Sequence, residues 1–519
     1  MEEQSFSDTT RALRTEDSKI ELERQYVLFA ALWAIASLLT VWFRFEANAF
    51  STDSLWFVAL QTSAVVAAIA VLIRPTWTLS MFALSVVHIA FVCWAMPFTS
   101  SADLLWLFFG SCVAVSFLTG WAISRSYEIG AIGLYRSVAP CLRVMTLIAI
   151  VAAALARVNT AFVNMEASPI TPFVAQFFPS SWLGSQPMSW AIYVVMSALV
   201  IVDILLAVAL VLPSLRRFAV GFGSFYFALQ AWLGFGEARW LLPLFVIGLS
   251  LFVSPTLIGR IVAQVRRLVP WSPRAVLSVV GTCGLLAVAI FLSSQNQVGQ
   301  DVAGQGETLI QDAANVGQDV ATAVSETRQS LHWGNLALAV QWCYAVLIAM
   351  WVGILLSSLI DQRPRLTWVS MMLRNPLHFV VLLVMLIAVS SPYLGLGNVG
   401  RFTDNSGLVT SGATNHMLVP HHDLVHLETD LIEITYSSDA YLQQLADQQL
   451  SMTWFDFVNY VVDRPDTSVN FSRGDDQFDV DRTGDIEELS SGNSWLYRKL
   501  CTFAPISRVV GPIRTMARQ

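Results

Sequence analysis

Long apolar runs separated by short polar segments fill about the first three quarters of the chain. Eleven runs are each near the roughly 20 residues that a helix needs to cross a bilayer core. They cover residues 26–43, 55–73, 76–96, 104–123, 139–157, 189–212, 218–235, 240–258, 275–293, 335–360 and 377–393. The pattern predicts an all-α polytopic membrane bundle over 26–393, preceded by a polar tail at 1–25. The runs 218–235 and 240–258 are so close together that a re-entrant pair is the alternative there.

Residues 394–519 change character, since short amphipathic segments replace the long apolar runs. Alternating and helical patterns predict a small α+β domain. The predicted elements are a strand at Leu431–Tyr436, a helix from Asp439 through Leu450, a helix at Trp454–Val462, a hairpin turning at Arg473–Asp476 and a helix at Trp495–Phe503.

Composition agrees with a membrane environment. Only 13% of the residues are charged and 55% are hydrophobic, whereas soluble chains carry about 25% charged residues. The net charge of −7 argues against a nucleic-acid partner, which favours a basic surface. Five of the six cysteines lie in apolar runs and no CxxC pair occurs. We therefore expect neither a disulfide framework nor a thiolate metal site.

The distribution of basic residues predicts an orientation. With a cytoplasmic N-terminus, sixteen arginines and lysines fall on inside segments, and only Arg44, Arg239 and Arg328 fall on the outside loops between spans. This asymmetry favours a cytoplasmic N-terminus. Eleven crossings then make the C-terminal domain extracytoplasmic. They also place two long loops outside, at 158–188 and at the acidic 294–334.

Polar side chains inside spans are costly and are therefore candidate functional groups. Asp203 is either a proton or ion site, and so a candidate catalytic group, or an acid that is protonated or paired with a neighbouring span. His88, Gln230 and Gln341 are expected to form hydrogen bonds between helices.

Four histidines lie close together in the C-terminal region: His416, His421, His422 and His426. His422 and His426 would share one face of a helix, as in some zinc sites. No fixed metal motif accompanies them, so no metal site is predicted.

The segment 391–420 reads SPYLGLGNVGRFTDNSGLVTSGATNHMLVP. Pro392–Leu396, Phe402, Leu408 and Asn415–His416 resemble the signature of the HTTM superfamily, which includes the vitamin K-dependent gamma-carboxylases. Segments of the C-terminal domain also resemble bacterial members of that superfamily, and the likeness is weaker at 154–169.

The resemblance implies binding of a lipid or a quinone-like ligand, such as vitamin K hydroquinone, with Asn415 and His416 among the ligand-binding residues. In the carboxylases, O₂ oxidises the hydroquinone and produces a strong base. That base removes a proton from glutamate, and CO₂ then adds. A lysine at the outer end of a membrane helix is the group thought to deprotonate the hydroquinone, since a desolvated lysine can be neutral.

This chain departs from the pattern at that lysine. The matching residue is Arg157, and the only lysines are Lys19 and Lys499, neither in a span. Arginine stays protonated in proteins and is a poor general base. Ser101 and Ala102 also replace an Asn-His pair of many members. Both differences argue against lysine-dependent carboxylation.

Two interpretations of Arg157 stay open. It could bind an anionic or quinone-like ligand with Asn159 beside it, or it could anchor the helix end among lipid headgroups.

Three functions follow from these observations. The first is a carboxylase relative that has lost lysine-based chemistry but keeps a lipid- or quinone-binding site. The second is an active quinol-oxidising carboxylase with rearranged catalysis through Asp203 or His88. The third is a non-enzymatic transport or scaffold protein, whose outer domain and acidic loop bind a protein partner.

Overall fold

The chain is largely helical and includes a small antiparallel sheet. The computed structural model describes residues 2–46, 55–96, 100–125, 129–159, 162, 168, 170–175, 186–232, 238–253, 371–397, 401–403, 430–474, 476–486, 489, 498, 501–503 and 506–507. Within these ranges, seven helices are long and apolar enough to cross a membrane. These helices indicate an integral membrane protein.

The helices of the N-terminal region are α1 Glu2–Glu46, α2 Leu55–Ile73, α3 Thr78–Ala95, α4 Ser101–Ser124, α5 Ala131–Ala156, α6 Ile170–Ala175, α7 Gln186–Val211, α8 Arg216–Trp232 and α9 Ala238–Ser250, with α10 Leu377–Ser390 further along the chain. Consecutive helices pack on one another from α1 to α5, and α10 packs on α4 and α5. The runs at 275–293 and 335–360 lie outside the described residues. The polar tail at 1–25 continues as helix into the first span.

Helices α8 and α9 have 17 and 13 residues, which is shorter than most spans. Nevertheless, α9 runs antiparallel along the apolar part of α1. At one end the rings of Phe43 and Trp240 lie 5.9 Å apart. At the other end the Gln25 amide lies 3.5 Å from the carbonyl oxygen of Val253. The ends of this segment therefore lie beside opposite ends of the apolar part of α1.

The outer loop 158–188 is rich in Phe, Pro, Ser and Trp and was expected to pack on the bundle. Of its described residues, Phe162, Ile170 and Val174 are buried in the same hydrophobic core as the helices. This part of the loop therefore packs on the bundle, because its apolar side chains bury their surface there.

The described part of the C-terminal domain contains an antiparallel sheet and two α-helices. Its elements are β1 Leu431–Ser437, α11 Ala440–Asp447, β2 Leu450–Thr453, α12 Trp454–Val461, β3 Val469–Arg473, β4 Asp476–Val480 and β5 Ile506–Ser507. The strand order is β4-β3-β1-β2-β5. The core includes Ile432, Ile434, Leu445, Phe457 and Phe471. The predicted strand at 431, the helix capped by Asp439, the helix at 454 and the hairpin are confirmed.

Two predicted boundaries in this domain are wrong. Helix α11 ends at Asp447, and Leu450 begins β2 after Gln449 adopts a positive φ of 53°. The helix predicted at Trp495–Phe503 does not include Cys501–Phe503, which are not helical. Cys501 and Phe503 pack on Phe455.

Candidate functional site

Arg157 and Asp203 form an ion pair inside the bundle. Arg157 caps the C-terminal end of α5, and its Nη1 donates to a carboxylate oxygen of Asp203 in α7. The two side chains are 8% and 2% exposed. A cation at a helix C-terminus is favoured by the helix dipole. Of the interpretations proposed for Asp203, the structure shows the acid paired with a neighbouring helix.

Two further polar residues, Tyr226 and Asn159, lie on the helices or turns next to this pair. The Tyr226 hydroxyl of α8 donates to the carbonyl oxygen of Leu199 at 3.5 Å, in the helix that carries Asp203. Asn159 follows α5 directly. Its amide nitrogen donates to the carbonyl oxygen of Ala156 at 2.7 Å, and its amide oxygen accepts from the backbone N–H of Phe162 at 2.7 Å. The Asn159 amide therefore shapes the turn that ends α5.

A second buried ion pair joins Arg44 at the end of α1 to Asp103 in the first turn of α4. Ser100 and Asp103 form a reciprocal capping box, in which the Ser100 hydroxyl accepts from the Asp103 N–H at 3.1 Å. The guanidinium carbon of Arg44 lies 3.6 Å from the ring centroid of Phe91. Arg44 was expected in an outer loop. It lies instead in the helix, because its charge is paired and its face is covered by an aromatic ring.

His88 of α3 lies beside this second pair. Its ring stacks on Trp106 with centroids 4.1 Å apart and planes at 7°. Its Nε2 forms a 2.6 Å hydrogen bond with the Ser37 hydroxyl of α1. The Trp106 indole N–H in turn donates to Thr40 at 3.0 Å. The expected interhelical hydrogen bond of His88 is confirmed. We call Arg44, His88, Asp103 and Trp106 the polar cluster.

The segment that follows α10 joins the bundle to the C-terminal domain. A 3₁₀ helix at Ser391–Leu394 ends at Gly395, which has a φ of 65°. Gly397 has a φ of 137°, and a Cβ there would lie 2.6 Å from the backbone oxygen of Thr502. Further on, the backbone N–H of Phe402 donates to the Ser101 hydroxyl at 3.1 Å. Phe402 of this segment is therefore held beside the first turn of α4, next to Ser101 and Ala102.

The polar cluster offers hydrogen-bond donors in an apolar setting. Among the described residues, neither Nε of Arg44 nor Nδ1 of His88 has a hydrogen-bond partner. An unsatisfied polar group in an apolar interior costs about 1–3 kcal/mol. Such groups can donate to carbonyl or anionic oxygens. The aromatic rings beside them are packed on one another or under Arg44, since His88 stacks on Trp106 and Arg44 lies over Phe91.

The structure brings Arg157 and Asp203 together, but it places the polar cluster on other helices. Sequence reasoning treated Arg157 and Asp203 as separate candidates and did not single out Asp103, Trp106 or Tyr226. The Ser100–Asp103 spacing of a capping box was the signal for Asp103. Gln230 is buried, and its amide nitrogen has no hydrogen-bond partner among the described residues. Asn415, His416, the other three clustered histidines and Gln341 lie outside the described residues.

Comparison of the chain with models of protein families, with curated proteins and with solved structures finds no match. The geometry above is therefore the basis on which a function is argued.

Proposed function

We propose that this chain is an HTTM-type membrane protein that binds a quinone-like or other lipid ligand at the polar cluster. The observation that carries the proposal is the hydrogen bond from Phe402 to Ser101. Phe402 belongs to the segment that resembles the superfamily signature. Ser101 stands where the resemblance places the Asn-His pair, and Asp103 of the Arg44 ion pair follows in the same turn.

The chemistry of the polar cluster suits a quinone-like ligand. A quinone has a planar ring that can stack on aromatic side chains and two carbonyl oxygens that accept hydrogen bonds. Trp106, Phe91 and His88 supply rings, while Arg44 and His88 supply the nitrogens described above. Ligand sites of this kind are mostly apolar with a few convergent polar groups.

The same protein is not expected to carry out lysine-dependent carboxylation. Arg157 is paired with the carboxylate of Asp203, and arginine stays protonated in proteins. A guanidinium can donate hydrogen bonds but cannot take the hydroquinone proton. Reduced-quinone epoxidation should therefore be absent in the wild-type protein. Gain of epoxidation in Arg157→Lys would show that only the base is missing.

We further propose eleven crossings, a cytoplasmic N-terminus and an extracytoplasmic C-terminal domain. The excess of basic residues on alternate loops supports this topology. The course of α9 along α1, from Trp240 beside Phe43 to Val253 beside Gln25, supports a crossing rather than a re-entrant turn there.

Binding of radiolabelled vitamin K quinone to the purified chain in nanodiscs tests the ligand proposal. The wild-type protein should bind saturably, and Trp106→Leu should bind about 2–10-fold more weakly, because aromatic stacking contributes about 0.5–1.5 kcal/mol. Trp190→Leu is the matched control, since Trp190 of α7 is 70% exposed, and it should bind like wild type. Equal binding by the two variants, or none by wild type, would contradict the proposal and leave the scaffold interpretation.

A further inference from the structure

A group of soft side chains lies buried where α4, α5 and α10 meet. Cys112 of α4, Cys141 of α5 and His378 of α10 each offer one ligand atom, and these atoms all lie within 4.8 Å of one another. The Cys112 Sγ lies 3.7 Å from the His378 Nε2. All three residues are fully buried. They are separate from the polar cluster and from the Arg157–Asp203 pair, and the proposed function makes no use of them.

The spacing of these atoms fits a metal ion. Zinc binds thiolate sulfur at about 2.3 Å and imidazole nitrogen at about 2.0–2.1 Å in a tetrahedral arrangement. Sulfur and nitrogen ligands of one tetrahedral ion are then about 3.6 Å apart, and two sulfur ligands are about 3.8 Å apart. The observed Sγ–Nε2 separation is close to the first value. The remaining separations between ligand atoms are no more than 4.8 Å.

Hydrogen bonds at the start of α10 hold His378 in position. The Asn375 side chain donates to the Thr119 hydroxyl of α4 at 3.0 Å and accepts from the Leu377 N–H at 3.0 Å. This contact holds the first turn of α10 against α4. His378 is therefore presented to Cys112 by a rigid element, as a preformed metal site needs.

We propose that Cys112, Cys141 and His378 bind a Zn²⁺ ion inside the bundle. Two thiolates and a neutral imidazole make the zinc complex electrically neutral, whereas a Cu⁺ complex with the same ligands would carry a net negative charge. An uncompensated charge in an apolar interior is costly, so zinc is the expected occupant. Zinc binding would release the two thiol protons to solvent.

Ser116 completes the surroundings of the ion. Its hydroxyl now forms a 2.7 Å hydrogen bond with the His378 Nε2 and a 3.1 Å hydrogen bond with Ser137. When Nε2 binds zinc, this hydroxyl keeps Ser137 as a partner and is free to approach as a fourth, oxygen ligand. The absence of a CxxC pair led the sequence argument to expect no thiolate metal site. The helices supply the proximity that the spacing along the chain does not.

Elemental analysis tests the site on the full-length chain, expressed with added Zn²⁺ and purified in detergent with a reductant. Wild-type protein should retain stoichiometric zinc. Cys112→Ser, Cys141→Ser and His378→Gln should each bind Zn²⁺ at least about tenfold more weakly, since loss of even a supporting partner costs 10–100-fold in affinity. Cys93→Ser is the matched control, because Cys93 is an exposed cysteine outside this group, and it should keep its zinc.

A spectroscopic measurement on wild type does not depend on the variants folding. X-ray absorption at the zinc edge should show two sulfur ligands at about 2.3 Å and a nitrogen ligand at about 2.0 Å. Wild-type protein without zinc, or zinc held only by nitrogen and oxygen, would overturn the proposal. Stoichiometric Cu⁺ after parallel expression with copper, in preference to zinc, would overturn the assignment of the ion.

Discussion

The guanidinium of Arg157, at the end of α5, donates to the carboxylate of Asp203 in the interior of α7, and both side chains are buried. The cation at the end of α5 is thus paired with an acid from a neighbouring helix. Two residues that stood out separately in the sequence form one structural unit.

Loss of either member of this ion pair should lower the free energy of unfolding of the bundle. Arg157→Ala or Asp203→Ala should each destabilise the bundle by about 3–5 kcal/mol, because each leaves an uncompensated buried charge. The double change Arg157→Met with Asp203→Leu should cost far less than the sum of the two. Unfolding of the purified variants, followed by tryptophan fluorescence, measures the difference.

The surface pair Arg482–Asp466 provides the control for the buried one. Its side chains are 62% and 77% exposed, so Arg482→Ala should change stability by no more than about 1 kcal/mol. Buried and surface variants of equal stability would show that Arg157 and Asp203 do not depend on each other.

Gly397 is expected to be essential to the junction between bundle and C-terminal domain. Gly397→Ala combines a φ of 137° with a Cβ 2.6 Å from the Thr502 backbone. The backbone strain alone costs about 1–3 kcal/mol, and the overlap adds to it. Limited proteolysis should therefore release the C-terminal domain faster from this variant.

Gly474→Ala separates the effect of backbone strain from the effect of steric overlap. Gly474 also has a positive φ, 62°, but a Cβ there would meet nothing within 4 Å. This variant should lose less stability than Gly397→Ala and should leave the junction intact. Equal proteolysis of the two would mean that the contact with Thr502 is unimportant.

The C-terminal domain should lose stability at alkaline pH. Burial raises the pKa of the Cys501 thiol from 9.0 to about 11. Burial, and then the hydrogen bond to Asp439, raises the pKa of Tyr460 above its usual value of 10.0. Both groups stay protonated in the folded domain after the unfolded chain has lost those protons. Stability is therefore fully present below pH 9 and falls as pH rises through about 11.

Thermal unfolding of the full chain between pH 7 and 11 measures this loss. Cys501→Ala should weaken the dependence that begins near pH 9, and Tyr460→Phe should weaken the part above pH 10. A transition of the C-terminal domain that stays constant across this range would contradict the two pKa shifts.

The proposed topology is tested in sealed cells. Added protease should remove the C-terminal domain without lysis, while an epitope tag at the N-terminus should stay protected until lysis. Protection of the C-terminal domain would mean that the number of crossings is even, and the segment Arg216–Ser250 would be the first place to look for the error.

Local sequence patterns predicted much of this fold. The features that they did not predict depend on contacts between segments that are distant in the sequence. Apolar length located the helices, and Asp439 and the Arg473–Asp476 turn located elements of the C-terminal domain because caps and turns are set by neighbouring residues. Strand β2 was not predicted, since four residues starting at Leu450 carry too little alternation to separate them from the preceding helix.

The hydrophobic periodicity of the sequence does not show which helices pack against each other. Nothing local indicates that Asp203 meets Arg157, that Asp103 meets Arg44, or that His378 lies beside Cys112. These contacts depend on how helices from distant parts of the chain are arranged in the bundle. A charged residue within a span indicates that a partner exists, but it does not identify that partner.

Mass spectrometry of the lipids that co-purify with the full-length chain tests the central claim most directly. The proposed ligand site predicts that a quinone or another specific lipid is enriched over the bulk membrane extract. It also predicts that Trp106→Leu loses this enrichment while Trp190→Leu keeps it. Co-purified lipids with the composition of the bulk membrane, in wild type and both variants alike, would contradict the proposed function.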